Sequence, residues 1–163
     1  MVREANELDE RWQPEMEPVG TDNFGNLLRD PAMAMGALVA RELAKRGFGD
    51  LRPGLLAVAA HIRADGSRVT DLAQRAQVSK PTVVHAVDEL VRLGYARREP
   101  DPADGRAKLV TMTARALEAE RVGREAIARI RDAWAAALGE REMAQLEALL
   151  LRLRATLWPT SRS

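Results

Sequence analysis

Arg106 closes the string Asp101-Pro102-Ala103-Asp104-Gly105-Arg106, in which a proline and a glycine turn the chain between carboxylates. An arginine on a turn has little covalent chemistry to offer. Its planar, permanently charged guanidinium instead suits bidentate contact with phosphate oxygens or a guanine edge. Asp104, two residues earlier, is placed to orient that guanidinium and to tighten the turn. A second group with similar chemistry lies upstream, at Ser79, Lys80, Pro81, Thr82, Val84 and His85. Hydroxyls and N–H groups at the start of a helix suit a phosphate, and His85 can hydrogen-bond a base edge or a phosphate. Arg98 and Lys108 flank the turn near the base of the same hairpin. Plainer readings stand beside these: Ser79 as a capping residue, His85 as a solvent-facing histidine, and Arg97, Arg98 and Lys108 as the basic residues that hairpin edges carry.

These residues need a particular frame. Thr70–Gln77 is expected as a short helix capped by Thr70. Ser79 is expected to cap a second helix, with Pro81 tolerated in its first turn, where N–H groups lack intrahelical partners, and Gly94 ending it. The extended segments Tyr95–Pro100 and Lys108–Thr113 then enclose the turn as a β-hairpin, with a loop longer than two residues that should protrude. Two short helices on a tight connection followed by a hairpin make a helix-turn-helix with a wing. The second helix of such a unit fits a DNA major groove, and a hairpin arginine suits the neighbouring narrow, electronegative minor groove. On the second helix Val83, Ala86, Val87 and Leu90 form one apolar stripe, assigned to the core. That leaves Lys80, Pro81, Val84, His85 and Asp88 facing out, with Arg92 below. Val84, Val87 and Val91 make a rival stripe, so a rotated helix with Val84 inside stays open. An outward Val84 could touch a thymine methyl.

The rest of the chain reads as helical support. Residues 1–29 are polar, broken by Pro14, Pro18, Gly20 and Gly25, and form an acidic arm that Trp12, Met16, Phe24, Leu27 and Leu28 could dock. Asp30-Pro31 is a helix start, and Gly47 a stop after Arg46. A helix from Pro53 through Ile62 ends before Asp65-Gly66. Another runs from Ala114 to about Ala137, and Gly139 breaks it. Met143, Leu146, Leu150, Leu153 and Leu157 then recur in steps of three and four, a coiled-coil-like seam. The expected divisions are an arm at 1–29, a dimerisation helix at 30–50, a winged helix-turn-helix at 51–113, dimerisation helices at 114–158 and a tail at 159–163. The expected fold class is mainly α with a small β-hairpin wing.

The bulk properties agree with that frame. The chain has 163 residues, of which 46% are hydrophobic and only 4% aromatic, so its core must be aliphatic. Residues 1–30 carry a net charge of −5 within a chain of net +1, which makes the remainder basic. A basic body is compatible with a nucleic-acid partner. There is no cysteine, which excludes a disulfide framework, a thiolate metal site and a thiol redox sensor. No apolar run reaches a membrane span and no signal-peptide pattern opens the chain, so a soluble, cytoplasmic protein is expected. No nucleophile–base pair, Gly-rich phosphate loop or metal-ligand cluster points to an enzyme, and no cofactor is expected.

From Leu51 to about Leu117 the chain resembles the winged-helix core of MarR-type transcriptional regulators. The resemblance is carried by LAQRAQVSKPTVVHAVDELVRLGYARREPDPADGRAKLVTMT. Its most specific part is D-P-x-D-x-R before a strand ending in threonine, matched by Asp101, Pro102, Asp104 and Arg106. The helix order outside the core extends the likeness over residues 31–157. The resemblance implies a bacterial homodimer that binds a palindromic double-stranded DNA operator, usually as a repressor, through first and last helices that dimerise. It also implies release from DNA by a small, commonly aromatic or phenolic, molecule bound between the dimerisation helices and the winged helix. Met35, Arg52, His61 and Trp134 are the candidates to line such a pocket, with core packing or surface exposure as their plainer role. Val84 and His85 depart from the polar residue and the arginine that the family often carries there, and the arm is longer than in a minimal member. A winged helix used as a protein-interaction module is the rival.

Overall fold

The computed structural model describes residues 8–18, 20 and 22–158. The expected tail and the first seven residues of the arm lie outside them. Six helices and one hairpin follow in order: α1 (Phe24–Lys45), α2 (Pro53–Ala59), α3 (Val69–Ala76), α4 (Lys80–Arg92), β1 (Ala96–Asp101), β2 (Asp104–Met112), α5 (Ala114–Leu138) and α6 (Glu140–Leu157). This is the expected class, mainly helical with one antiparallel two-stranded sheet. The chain divides into two compact units, residues 36–126 and a second made of residues 1–35 with 127–163.

Residues 36–126 hold an aliphatic core. Leu43, Leu51, Leu55, Leu72, Val83, Val87, Leu90, Val110 and Val122 are buried in one cluster, with Tyr95 as its one large aromatic. α4 packs on α2 and α3, and β1 follows it closely. The third helix starts at Val69, earlier than expected, and Thr70 does not cap it. The reason is tertiary. Ser67 and Val110 exchange both backbone hydrogen bonds, at 3.0 and 2.9 Å, which holds residue 67 extended. The helix begins as soon as that bridge releases the chain. Gly66 permits the approach: its φ is +91°, and a Cβ there would stand 3.1 Å from Leu109 of β2. α2 is also shorter than expected. After Ala59 the chain tightens into 3₁₀-type bonds, His61 to Val58 and Ile62 to Ala59.

The junction of wing and α5 is held by polar contacts. The Tyr95 hydroxyl donates to Asp50 at 2.5 Å, and Arg115 donates to both Asp50 and the Tyr95 oxygen, at 2.9 and 3.0 Å. The Arg115 guanidinium also lies 4.6 Å from the centre of the Tyr95 ring. The Tyr95 hydrogen bond, more than the nearby arginine, draws the Asp50 carboxyl below its ordinary value. Thr113 donates to the Gly94 carbonyl at 2.6 Å and accepts the Ala116 N–H, so it fastens the end of the wing and caps α5.

In the other unit α1 starts six residues before the expected Asp30. Asn23 accepts the Asn26 N–H at 3.0 Å and so acts as its cap. Pro31 falls inside the helix rather than in its first turn. Phe24, Leu27 and Leu28 therefore belong to a helix and not to an arm. The described arm holds a single 3₁₀ turn, Glu10–Trp12, capped by Asp9. Ile130, Ala135 and Met143 form the buried positions of the α5 end and α6. Arg131 joins the two helices, with Glu140 and Glu147 each at 3.0 Å.

Candidate nucleic-acid interface

The start of α4 is built by Ser79. Its Oγ accepts the Thr82 N–H at 3.3 Å and shares a 2.7 Å hydrogen bond with the Thr82 hydroxyl. Lys80 and Pro81 occupy the first turn, where proline costs no hydrogen bond. Val83, Val87 and Leu90 are completely buried, so the first of the two possible stripes faces the core. Ala86 and Val91 are half-buried beside it. Lys80, Pro81, Thr82, His85 and Asp88 are exposed on the opposite side. Val84 is half-covered, between the two orientations weighed from the sequence.

The wing is tighter than its sequence suggested. β1 pairs with β2 from Ala96 opposite Met112 to Pro100 opposite Lys108. The register then shifts, and Asp101 lies opposite Asp104. Only Pro102 and Ala103 separate the strands, and residues 105–107 are taken up as an irregularity of β2 in place of a long loop. Asp101 makes this possible by accepting the Ala103 N–H at 2.8 Å, a side-chain mimic of a backbone turn bond. Arg106 is exposed within the irregular stretch. Asp104 tightens the backbone there, since its Oδ1 accepts the Arg106 N–H at 3.1 Å. It does not orient the Arg106 guanidinium: Asp104 Oδ2 stands 3.7 Å from Arg68 instead.

Charge pairing sorts the cations of this region. Arg92 pairs with Glu89 at 2.8 Å, Arg97 with Glu99 at 2.9 Å and Arg98 with Asp88 at 2.7 Å. Arg98 is thereby tied to α4 and does not stand free at the hairpin edge. Lys80, Arg106 and Lys108 are exposed and have no carboxylate partner among the described residues.

Of the proposed pocket residues, Met35 and Trp134 belong to the unit of residues 1–35 and 127–163, and both are half-buried. Arg52 and His61 belong to the other unit. Arg52 is exposed, and its carbonyl accepts the first N–H groups of α2. The His61 carbonyl accepts from Arg75 at 2.9 Å.

The MarR family profile matches residues 55–107, which span α2 to the wing. A crystal structure of the transcriptional regulator PA3341 is 30% identical, with 83% of this chain and 98% of that one covered and a TM-score of 0.61. This chain belongs to the MarR family. Wild-type apo MarR from E. coli has the same fold at 23% identity, with 82% and 98% of the two chains covered and a TM-score of 0.67. A variant of S. aureus MepR bound to an oligodeoxyribonucleotide is similar at 22% identity, with 84% and 99% covered and a TM-score of 0.53. No curated protein matches this chain in sequence. The fold and the family profile together identify this MarR-family chain as a transcriptional regulator.

Three features of its interface escaped sequence reasoning. One is the Arg98–Asp88 pair between β1 and α4. Another is the Asp50–Tyr95–Arg115 cluster under the wing. The third is Arg68, which contacts Asp101 from 33 positions away. Only Asp101 carried a signal, as the first residue of D-P-x-D. Arg68 is one of many arginines, and nothing local marks it out.

Proposed function

We propose that this chain is a sequence-specific DNA-binding regulator that reads a palindromic operator as a homodimer, with α4 in the major groove and the wing alongside. The carrying observation is the division of charge between Ser79 and Lys108. Three of the six cations there are cancelled by Glu89, Glu99 and Asp88. The three left open are Lys80 at the start of α4 and Arg106 and Lys108 on the wing, the two places where a duplex would meet this fold. The likeness to a MepR variant bound to an oligodeoxyribonucleotide supports this reading.

Dimerisation is supported by the apolar side chains that the single chain leaves outside. Phe24, Leu27 and Leu28 of α1 and Leu146, Leu149, Leu150, Leu153 and Leu157 of α6 are exposed, more than a monomer normally tolerates in one region. Two copies joined there would set two α4 helices roughly 34–36 Å apart, one DNA turn. Repression in the cytoplasm, relieved by a small aromatic or phenolic ligand, completes the proposal.

The test is fluorescence anisotropy with duplex DNA from upstream of the chain's own coding region, against random duplex, across a salt series. A steep salt dependence with a clear preference is expected. Arg106→Ala should weaken binding by about 1–3 kcal/mol with little change in Tm. A lowered Tm would make Arg106 structural. No binding to any duplex at low salt would favour the protein-interaction module instead.

A further inference from the structure

Arg68 and Asp101 form the tightest long-range ion pair of the winged helix. Arg68 Nε and Nη2 donate to the same Asp101 Oδ2 at 2.8 and 2.5 Å. Asp101 is 7% exposed, and its other oxygen is taken by the Ala103 N–H. That N–H first, and Arg68 next, hold the Asp101 carboxyl below its ordinary value. Arg68 Nη2 also lies 3.7 Å from Asp104 Oδ2, while Asp104 Oδ1 holds the Arg106 N–H. One guanidinium thus faces both carboxylates of the turn, and the second of these carries the backbone of Arg106. Arg68 is anchored from behind as well. The preceding residue bridges to Val110, and the Arg68 carbonyl accepts the Leu72 N–H at 3.0 Å.

We propose that Arg68 is a positioning residue for the wing, setting the turn through Asp101 and Asp104 and so fixing where Arg106 meets DNA. The proposal rests on the DNA-binding reading above. A turn held at both carboxylates presents the Arg106 backbone already ordered, so less conformational freedom is lost on binding. The competing role for Arg68, whose side chain is 42% exposed, is a direct phosphate contact of its own.

A duplex selected by the full-length wild-type chain from a random-sequence pool is the probe. Its affinity is measured across a salt series for the wild type, Arg68→Gln, Arg106→Ala and the double variant. Arg68→Gln is expected to weaken binding about tenfold, a size usual for coupling within one ion-pair network. The salt slope should stay unchanged, and the loss should largely vanish once residue 106 is alanine. A loss of the same size in both backgrounds, with a slope lower by about one, would make Arg68 a phosphate contact and overturn the proposal. Wild-type affinity in Arg68→Gln would overturn it too. If Arg68→Gln fails to fold, Arg68→Lys takes its place with the same criteria, because lysine keeps the charge but not the fork. A selection that enriches no duplex would sink the DNA-binding reading itself, and this inference with it.

Discussion

Residues 36–126 enclose their large apolar side chains, whereas the unit built from residues 1–35 and 127–163 leaves many of its own outside. In the first, Leu72, Val83, Val87 and Leu90 are completely buried, and only Val78 and Leu117 stand out among the large apolar residues. In the second, Phe24 is 69% exposed and six leucines of α6 face outward. The ion pairs differ in reach as well. The winged helix uses contacts between residues far apart in sequence, Arg68 with Asp101 and Arg115 with Asp50. The terminal helices pair over shorter separations, as in Arg131 with Glu140 and Glu147. One unit carries its own core. The other presents helix surface that only a further apolar face would complete, as the proposed homodimer provides.

That contrast can be broken most directly on α6. Leu150→Glu combined with Leu157→Glu should separate the proposed dimer in sedimentation velocity while leaving helix content intact. Each half-site would then be bound alone, and operator affinity should fall roughly 100-fold or more through lost avidity. A dimer that survives both charges would place self-association elsewhere. Leu72→Ala sharpens the other side of the comparison. It should cost about 2–5 kcal/mol of unfolding free energy in a urea titration, because the site is fully packed and leaves a cavity. Leu149→Ala on the exposed face of α6 should cost far less in the monomeric Glu variant. Ser79→Ala removes the α4 cap and should cost about 1 kcal/mol in the same titration.

The smallest expected effect is a pH dependence to which two carboxylates of the winged helix contribute. Asp101 and Asp50 both have folded pKa values below the ordinary 3.8. The unfolded chain therefore takes up protons first as pH falls. The stability these carboxylates contribute is complete above about pH 4 and is lost as pH drops through their folded values. Urea midpoints followed from about pH 7 to about pH 3 should show no slope from them near neutrality and a decline at the acid end. Asp101→Asn should flatten its share of that decline. An unchanged acid slope in that variant would mean that the Ala103 N–H and Arg68 together do not favour the Asp101 carboxylate in the folded chain.

Much of this was legible from local pattern. The apolar stripe of α4, the Ser79 cap, the stops at Gly47 and Gly94 and the presence of a hairpin all follow from interactions between residues a few positions apart, which a single sequence displays. The family likeness rested on the same stretch, LAQRAQ through KLVTMT. What could not be read were choices settled by distant partners. Thr70 is a competent cap, but the bridge between Ser67 and Val110 starts α3 before it. Arg98 looks like a free hairpin cation until Asp88 of α4 claims it. Arg106 stands beside Asp104 in sequence, yet Arg68 is the cation nearest that carboxylate. The sequence alone determined that most of these segments are helical, the stops at Gly47, Gly94 and Gly139, and which side chains carry charge, because those depend on local sterics and periodicity. Only the tertiary structure decided which charges cancel and which remain open, because a charge is cancelled by whatever lies within a few ångströms, however far away it is along the chain.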